Sequence, residues 1–161
     1  MAVINVTPGT ECILTLGNTA ALAVPAAAGS MVVPLMQDVT INASPGIVRY
    51  STLDSPSSSA FTTVNENSVS LNMLLDEETF FGLDTAGNTN KIADDGLFKV
   101  STDKTEVFFS VSFQGTQTGD HLIKGKGFIS GLAPTASMDA AVWLTPMEIV
   151  VNGELEAAAS A

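Results

Sequence analysis

Hydrophobic and polar residues alternate with a period of two along much of the chain, which is the pattern of half-buried β-strands. In residues 106–113, valine or phenylalanine occupies nearly every second position, and Glu106, Ser110 and Ser112 lie on the opposite face. These aromatic and β-branched residues also favour extended backbone. The segment is therefore predicted to be a strand with one buried face.

A segment near the C-terminus, residues 143–155, repeats this alternation. The residues that share its apolar face are Trp143, Thr145, Met147, Ile149, Val151 and Leu155. We expect Trp143 to anchor the core, while Glu148 and Glu154 lie on the opposite face. Pro146 has no N–H to donate to a ladder, which predicts that the strand is an edge strand or is bulged at that point.

Other segments of similar character are predicted to be strands, and turn-forming sequences separate them. These strands are Glu11 to Leu16, Val39 to Ala43, Ile47 to Leu53, Phe61 to Val64, Ser68 to Leu75 and Leu122 to Leu132. Helix signals are scarce. Residues 76–82 have an acidic opening and a closing glycine, which are typical of a short helix, and residues 90–97 are a weaker candidate interrupted near Asp95 and Gly96.

The prediction is therefore one mainly β domain spanning residues 1–161, an antiparallel β-sandwich or barrel with one short α-helix. Residues 1–10 form an N-terminal arm, and residues 156–161 form a C-terminal tail. Residues 17–36 form a long Ala-rich loop whose low polarity suggests that it covers another surface. Pro25, Gly29 and Pro34 interrupt this apolar stretch, so it does not match a membrane span.

Composition narrows the classes of function. The chain has 161 residues, 45% of them hydrophobic, and 6 Lys and Arg against 17 Asp and Glu, which gives a formal net charge of −11. An acidic chain argues against a surface that grips nucleic acid or an anionic membrane, because both need clustered cations. The hydrophobic content argues against intrinsic disorder.

The charges are also segregated along the chain. Five of the six cations (Lys91, Lys99, Lys104, Lys124, Lys126) lie between positions 91 and 126. The segment from Met1 to Glu78 holds only Arg49 against seven carboxylates. Interspersed acids usually form a solvated face, but segregation of this kind also gives complementary potentials where one subunit meets another.

The signals for catalytic or metal chemistry are weak. The single Cys12 and the single His121 exclude an intrachain disulfide and most zinc and triad arrangements, and they fit a protein folded in a reducing cytosol. The glycines at 125, 127 and 131 have the wrong spacing for a dinucleotide loop and lie in a strand pattern, where close backbone approach explains them better. Residues 84–90 lack the ligand alternation of a calcium loop. No catalytic residue, cofactor or metal is predicted.

Two stretches carry a family resemblance. The first is Val48-Arg49-Tyr50-Ser51-Thr52-Leu53 with the Ser/Pro loop from Asp54 and the strand sequence from Phe61 to Leu71. The second runs from Lys124 through Gly131 and a small-residue link to Met147 and Leu155. In these features the chain resembles the major tail tube protein of long-tailed, siphovirus-type bacteriophages.

The resemblance implies a virion structural protein that is made in the host cytoplasm and resides in the tail. Such subunits form stacked hexameric rings, and their inner sheets join into a tube through which DNA passes during ejection without specific binding. The implied partners are further copies of the chain and the tape measure, tail terminator and distal tail proteins. No membrane is implied. Assembly contacts are expected at strand edges, at the Ala-rich loop, at the N-terminal arm and in the 54–63 loop, with these candidate residues: Ala2, Val3, Ile4, Val6, Asp54, Ser55, Pro56, Ser57 and Phe61.

An acidic lumen would repel DNA phosphates. Glu148 and Glu154 are the candidate lumen-facing residues, because they lie opposite the Trp143 face. Two other classes of function remain open from the sequence. A virion binding module, such as a capsid decoration or receptor-binding β-sandwich, also fits the Ser/Thr/Gly-rich loops. A hydrolase with a carboxylate pair is disfavoured, because nothing in the pattern singles out one pair.

Overall fold

The computed structural model describes residues 12–25, 27–53, 57–83, 88–113 and 119–159. Strands account for 51% of the described residues, and the predicted class, mainly antiparallel β, is confirmed. Within the described ranges, nine strands form one antiparallel sheet, and two further strands form a separate ribbon. The described residues contain two helices, one over each of the two candidate segments.

The strands of the main sheet follow the path β2-β1-β7-β8-β10-β6-β3, with β11 added beside β8 and β9 beside β10. Their bounds are β1 Ile13–Gly17, β2 Met31–Val32, β3 Met36–Ser44, β6 Glu66–Leu74, β7 Glu106–Ser112, β8 His121–Ser130, β9 Thr135–Ser137, β10 Ala140–Val151 and β11 Glu156–Ala159. The ribbon consists of β4 Ile47–Tyr50 and β5 Ser59–Thr62. The helices are α1 Glu77–Phe81 and α2 Lys91–Thr102.

The core lies on one face of the sheet and follows the predicted parity. On this face, apolar residues of neighbouring strands lie directly opposite each other. Leu16, Phe109 and Gly125 form one such row. Helix α2 packs into the same cluster through Ile92, Leu97 and Val100, all of which are buried. Burial of this continuous apolar surface is the main favourable term in folding.

The opposite face is not uniformly exposed. Ser110, predicted to face solvent, is buried, because residues 19–25 cover this end of the sheet. Ala20, Ala23 and Val24 line a cavity together with Ser110. A Cβ atom on Gly17 would lie 2.7 Å from the Ala23 nitrogen, so only glycine allows the segment to approach β1 this closely. Residues 20–24 of the Ala-rich segment thus cover the chain's own sheet.

Strand β10 is an interior strand, with β6 on one side and β8 and β9 on the other. Pro146 nevertheless occupies a local edge, because pairing on the β8 and β9 side is interrupted between Leu144 and Glu148. The interpretation of Trp143 as a core anchor was wrong. Its side chain is 54% exposed, since the register of β10 shifts between Ala140 and Trp143 and this end of the strand extends beyond the core.

The two helices meet through their glycines. Gly82, which ends α1, and Gly96, which interrupts α2, both have positive φ with ψ near 160°, a backbone region that is almost restricted to glycine. A Cβ atom on Gly96 would lie 2.4 Å from the Gly82 nitrogen. The predicted interruption near Asp95 and Gly96 is confirmed, and helical turns lie on both sides of it, the second ending at Thr102.

Asn90 joins three parts of the fold. Its carboxamide oxygen accepts a hydrogen bond from the Ile92 N–H at 3.2 Å and caps α2. Its Nδ2 group donates to the carbonyl oxygens of Leu16 on β1 and Gly29 in the Ala-rich loop, both at 3.1 Å. The side chain is fully buried, so both donors and the acceptor need these partners.

The described residues include most of the predicted C-terminal tail but none of the predicted N-terminal arm. The predicted tail 156–161 contains β11, in which Glu156 to Ala159 pair with β8. The predicted arm, residues 1–10, lies outside the described residues. None of the helices in the described ranges is long and apolar enough to cross a membrane.

Candidate assembly surfaces and polar face

One half of the outer sheet face is polar and anionic. It is formed by alternate residues of β3, β6 and β10, whose short polar members are Asp38, Thr40, Asn42, Ser68, Ser70, Asn72 and Glu148. These three strands contain no lysine or arginine, and their carboxylates are Asp38, Glu66 and Glu148. We call this surface the polar face.

Glu148 lies within the polar face. It is directly opposite Ser70 on β6 and Ser130 on β8, and Ser70 is opposite Thr40 on β3. Its neighbours are thus hydroxyl groups instead of cations. No ion pair to Glu148 is found among the described residues, so none of them neutralises its charge.

Asp38 is a member of the polar face that the sequence reasoning missed. Its carboxylate accepts two hydrogen bonds from Asn72 Nδ2, at 3.1 and 2.9 Å, and a third from the Asn72 backbone N–H at 3.1 Å. Asp38 occurs just after the Ala-rich segment, where no clean alternation identified its face. The available signal was that Asp38, Thr40 and Asn42 occupy alternate positions, which places them on the same face of a strand.

Glu154 is not beside Glu148. Strand β10 ends at Val151, and Gly153 has a φ of +106°, so the chain turns before Glu154. Glu154 is exposed and lines the cavity beneath the Ala-rich segment, together with Lys124 and Lys126. These lysines form ion pairs with Glu156 at 3.4 Å and Glu106 at 3.6 Å. The surroundings of Glu154 are therefore of mixed charge.

The polar face borders an open sheet edge. Strand β3 pairs with β6 on one side, and within the described residues no strand pairs with its other side. At the opposite end of the sheet, β2 contributes only two residues beside β1. An unpaired edge of nine residues such as β3 is a site at which another chain can add a strand.

The β4–β5 ribbon is exposed along its whole length. Phe61, a predicted interface residue, packs on Tyr50 with ring centroids 6.0 Å apart, yet half of its surface is exposed. A two-stranded ribbon is marginally stable without a covering surface. Ser57 is exposed next to β5, whereas Asp54, Ser55, Pro56, Ala2, Val3, Ile4 and Val6 lie outside the described residues.

A second exposed apolar surface surrounds α1. Phe81 and Trp143 are 62% and 54% exposed, and they line one groove with Leu75, Phe80 and Pro134. We call this groove, defined by these five residues, the aromatic surface. Contiguous apolar surface of this kind is a mark of an interaction site.

The described residues contain no group of three or more His, Cys, Asp or Glu side chains that could hold a metal ion. Burial raises the pKa of the Cys12 thiol, which lowers its nucleophilicity at neutral pH. The glycines of β8 are explained by close approach, because a Cβ atom on Gly127 would lie 2.2 Å from the Val150 carbonyl oxygen.

No family model and no curated protein matches the sequence, but solved structures are similar in fold. A chain from the tail of an empty GTA particle, refined with C6 symmetry, matches with a TM-score of 0.63 and 13% identity, covering 94% of this chain and 98% of that chain. The fold is shared with a tail protein.

Two further structures extend this similarity. A chain from the virion of a native gene transfer agent particle matches with a TM-score of 0.62 and 12% identity over 95% of this chain and 99% of that chain. A chain from the PVC sheath/tube terminator of an extracellular contractile injection system, in its extended state, matches with a TM-score of 0.59 and 10% identity. This match covers 98% of this chain and 99% of that chain. The similarity spans nearly the whole of each chain, so the likeness is one of complete folds.

Proposed function

We propose that this protein is a non-enzymatic structural subunit of a phage-type tail tube and that it assembles into stacked hexameric rings. The observation that carries the proposal is the whole-chain similarity in fold to a chain of a C6-symmetric tail. The function would place the protein in the tail of a virion. A siphovirus-type tail and contacts with tape measure, terminator and distal tail proteins belong to the same proposal.

The open edge of β3 supports ring formation. In the proposed ring, this edge pairs with the opposite end of the sheet in the next subunit, where β2 is short. Repetition of one such head-to-tail contact produces a closed ring when its rotation divides a full turn. Closure into a barrel also removes the exposed strand edges of every subunit.

The polar face is the proposed lining of the lumen. Its strands lack lysine and arginine and carry Asp38, Glu66 and Glu148, so DNA phosphates would be repelled instead of bound. A cationic lining would release counterions on binding DNA and would retain it. Glu154, on a surface of mixed charge, remains a separate candidate for the lumen.

Assembly of the purified protein tests the function directly. Negative-stain electron microscopy at increasing protein concentration, with and without a tail initiator complex, should reveal hollow tubes of uniform diameter. Class averages in end view should have sixfold symmetry. Protein that remains monomeric under all these conditions would contradict the proposal. A small closed oligomer that binds capsids or glycans and does not stack would favour a virion binding module.

Replacing Glu148 with lysine should convert the tube into one that retains DNA. Six new cations in each ring would bind phosphates, so tubes of the variant should co-sediment with short linear duplex DNA at low salt and release it at high salt. Wild-type tubes should bind little of it. Closed circular DNA has no end to thread, so it should not bind if the lysines lie in the lumen.

Glu154→Lys is the charge-matched comparison. Tubes of this variant should bind linear and circular DNA alike if Glu154 lies outside the lumen, and linear DNA alone if it lies inside. Equal binding of linear and circular DNA by Glu148→Lys tubes would contradict the proposal that Glu148 and the polar face line the lumen.

A further inference from the structure

We propose that Asn152 is a site of non-enzymatic deamidation and that Glu106 controls the rate of the reaction. Deamidation of this kind converts an asparagine that precedes glycine into aspartate or isoaspartate. Asn152 is the only asparagine of the chain that glycine follows. The inference concerns the chemical stability of the chain and does not depend on the proposed function.

The reacting groups lie in the turn that joins β10, which ends at Val151, to β11, which begins at Glu156. Asn152 and Gly153 are both exposed in this turn. Gly153 has a φ of +106°, and apart from its chain neighbours no heavy atom would lie within 4 Å of a Cβ atom placed on it. The turn is therefore open to water and leaves room for the backbone to change conformation.

The backbone nitrogen of Gly153 is the proposed nucleophile. Among the described residues, none accepts a hydrogen bond from the Gly153 N–H, whereas the Asn152 N–H donates to the Lys126 carbonyl oxygen at 2.8 Å. Glycine has no side chain to hinder the approach of its nitrogen. The nitrogen and Cγ of Asn152 are neighbours in the chain, so the attack is intramolecular and is favoured over attack by a separate molecule.

The reaction has two steps, and water is its only co-reactant. First, a base in solution removes the Gly153 amide proton, the nitrogen bonds to Cγ of Asn152, and Nδ2 takes a proton from water and leaves as ammonia. Water then adds to one of the two carbonyl carbons of the cyclic imide. Breaking the bond from Cγ to nitrogen gives aspartate. Breaking the bond from the main-chain carbonyl to nitrogen gives isoaspartate, in which the backbone passes through the side chain.

Glu106 holds the amide group that must leave. Its Oε1 accepts a hydrogen bond from Asn152 Nδ2 at 2.7 Å, and a bond to a charged acceptor is stronger than one to a neutral acceptor. The same oxygen lies 3.6 Å from the Lys126 ammonium group. The hydrogen bond directs the carboxamide towards β7, and ring closure requires it to turn towards Gly153. The contact with Glu106 therefore slows the reaction.

Deamidation would convert this hydrogen bond into a repulsive contact. The product carboxylate would face the Glu106 carboxylate, to which Asn152 now donates. Isoaspartate would also lengthen the backbone just before β11, whose residues 156–159 pair with β8. A short strand that loses such support opens more often, so the amide hydrogens of β11 should exchange faster in the deamidated protein.

Ageing of the purified protein tests the proposal, with peptide mapping by mass spectrometry as the measurement. The peptide that contains Asn152 should gain one mass unit, faster at higher pH because base removes the Gly153 proton. Glu106→Ala should speed this gain by roughly 3- to 10-fold, the equivalent of one hydrogen bond. Glu106→Gln, which keeps an uncharged acceptor, should have an intermediate rate. Lys126→Ala, which removes the ion pair but leaves the acceptor of the amide, should match the wild type.

Circular dichroism checks that each variant is folded before ageing. A wild-type peptide that stays unmodified at Asn152 while other asparagines deamidate would overturn the assignment of the site. Equal or slower deamidation in both Glu106 variants would overturn control by Glu106. Faster exchange in β11 of the aged wild type, absent from aged Asn152→Gln, would support the structural consequence, and equal exchange in the two would contradict it.

Discussion

Replacing Asn90 with aspartate should lower the free energy of unfolding by about 3 to 5 kcal/mol, the usual cost of a buried charge without a partner. Aspartate retains the cap, since a carboxylate oxygen can still accept from the Ile92 N–H. The other carboxylate oxygen would face the carbonyl oxygens of Leu16 and Gly29, to which Asn90 now donates. Two favourable hydrogen bonds would become two repulsive contacts in a fully buried site.

The expected loss has a pH dependence that identifies its cause. Burial beside two carbonyl oxygens should raise the pKa of the introduced carboxyl in the folded state above its unfolded value. The folded protein then binds the extra proton more tightly, so the defect should be smallest below the unfolded pKa and should grow as the pH rises towards the folded one. Urea unfolding of the variant at pH 5 and pH 8, each compared with the wild type, measures this difference.

Asp76→Asn is the matched control. It exchanges acid and amide at the cap of the other helix, where the carboxylate is only partly buried and serves only Thr79 among the described contacts. A change of about 1 kcal/mol or less is expected there, because asparagine and aspartate cap helices about equally well. An equally small change at Asn90 would mean that its hydrogen bonds to β1 and the Ala-rich loop contribute little to stability.

Much of the sheet could be predicted from alternation, because side chains on a strand point to opposite faces in turn. The prediction identified the buried parity of β7 through Val107 and Phe109 and that of β10 through Met147 and Ile149. It failed at Trp143, because alternation gives a residue's face but not where the core ends along the strand. It also missed that Ser110 is covered, since the covering segment at 19–25 is distant in sequence.

The helices illustrate a second limit. Asp76 and Gly82 are local signals, and they were sufficient to predict α1. The interruption of α2 at Gly96 was predicted as well, but its close approach to Gly82 was not, because a tertiary contact of this kind leaves no periodic signal in the sequence.

The polar face was partly predictable for the same reasons. Glu148 follows from parity, because no irregularity separates it from Met147 and Ile149. Glu154 does not, because the turn at Gly153 resets the alternation after Val151. The neighbours of Glu148 on β3 and β6 depend on strand order, which alternation within one strand cannot provide. The candidate surface therefore required the sheet pairing.

In the proposed assembly, replacing Ala43 with proline should yield a folded chain that forms neither rings nor tubes. The direction of the backbone N–H groups on β3 leads to this expectation. The Asn72 N–H donates to Asp38 on β3, so by alternation Ser68 and Ser70 also direct their backbone groups towards β3. Their opposite residues, Asn42 and Thr40, point back towards β6. Ala43 has the opposite parity to Thr40 and Asn42, so its N–H points away from β6, towards the open edge.

Proline at position 43 would remove that outward donor and place its ring where a neighbouring strand must approach. Within the subunit, proline is tolerated on an edge strand when its missing N–H faced solvent, and Ala43 is exposed. The stability of the subunit should change by no more than about 1 kcal/mol, while assembly is lost. Ala43→Thr keeps the N–H and favours strand conformation, so it should assemble normally. Sedimentation velocity and negative-stain microscopy of the two variants measure the effect, and tubes of normal length from Ala43→Pro would exclude the β3 edge from the contact between subunits.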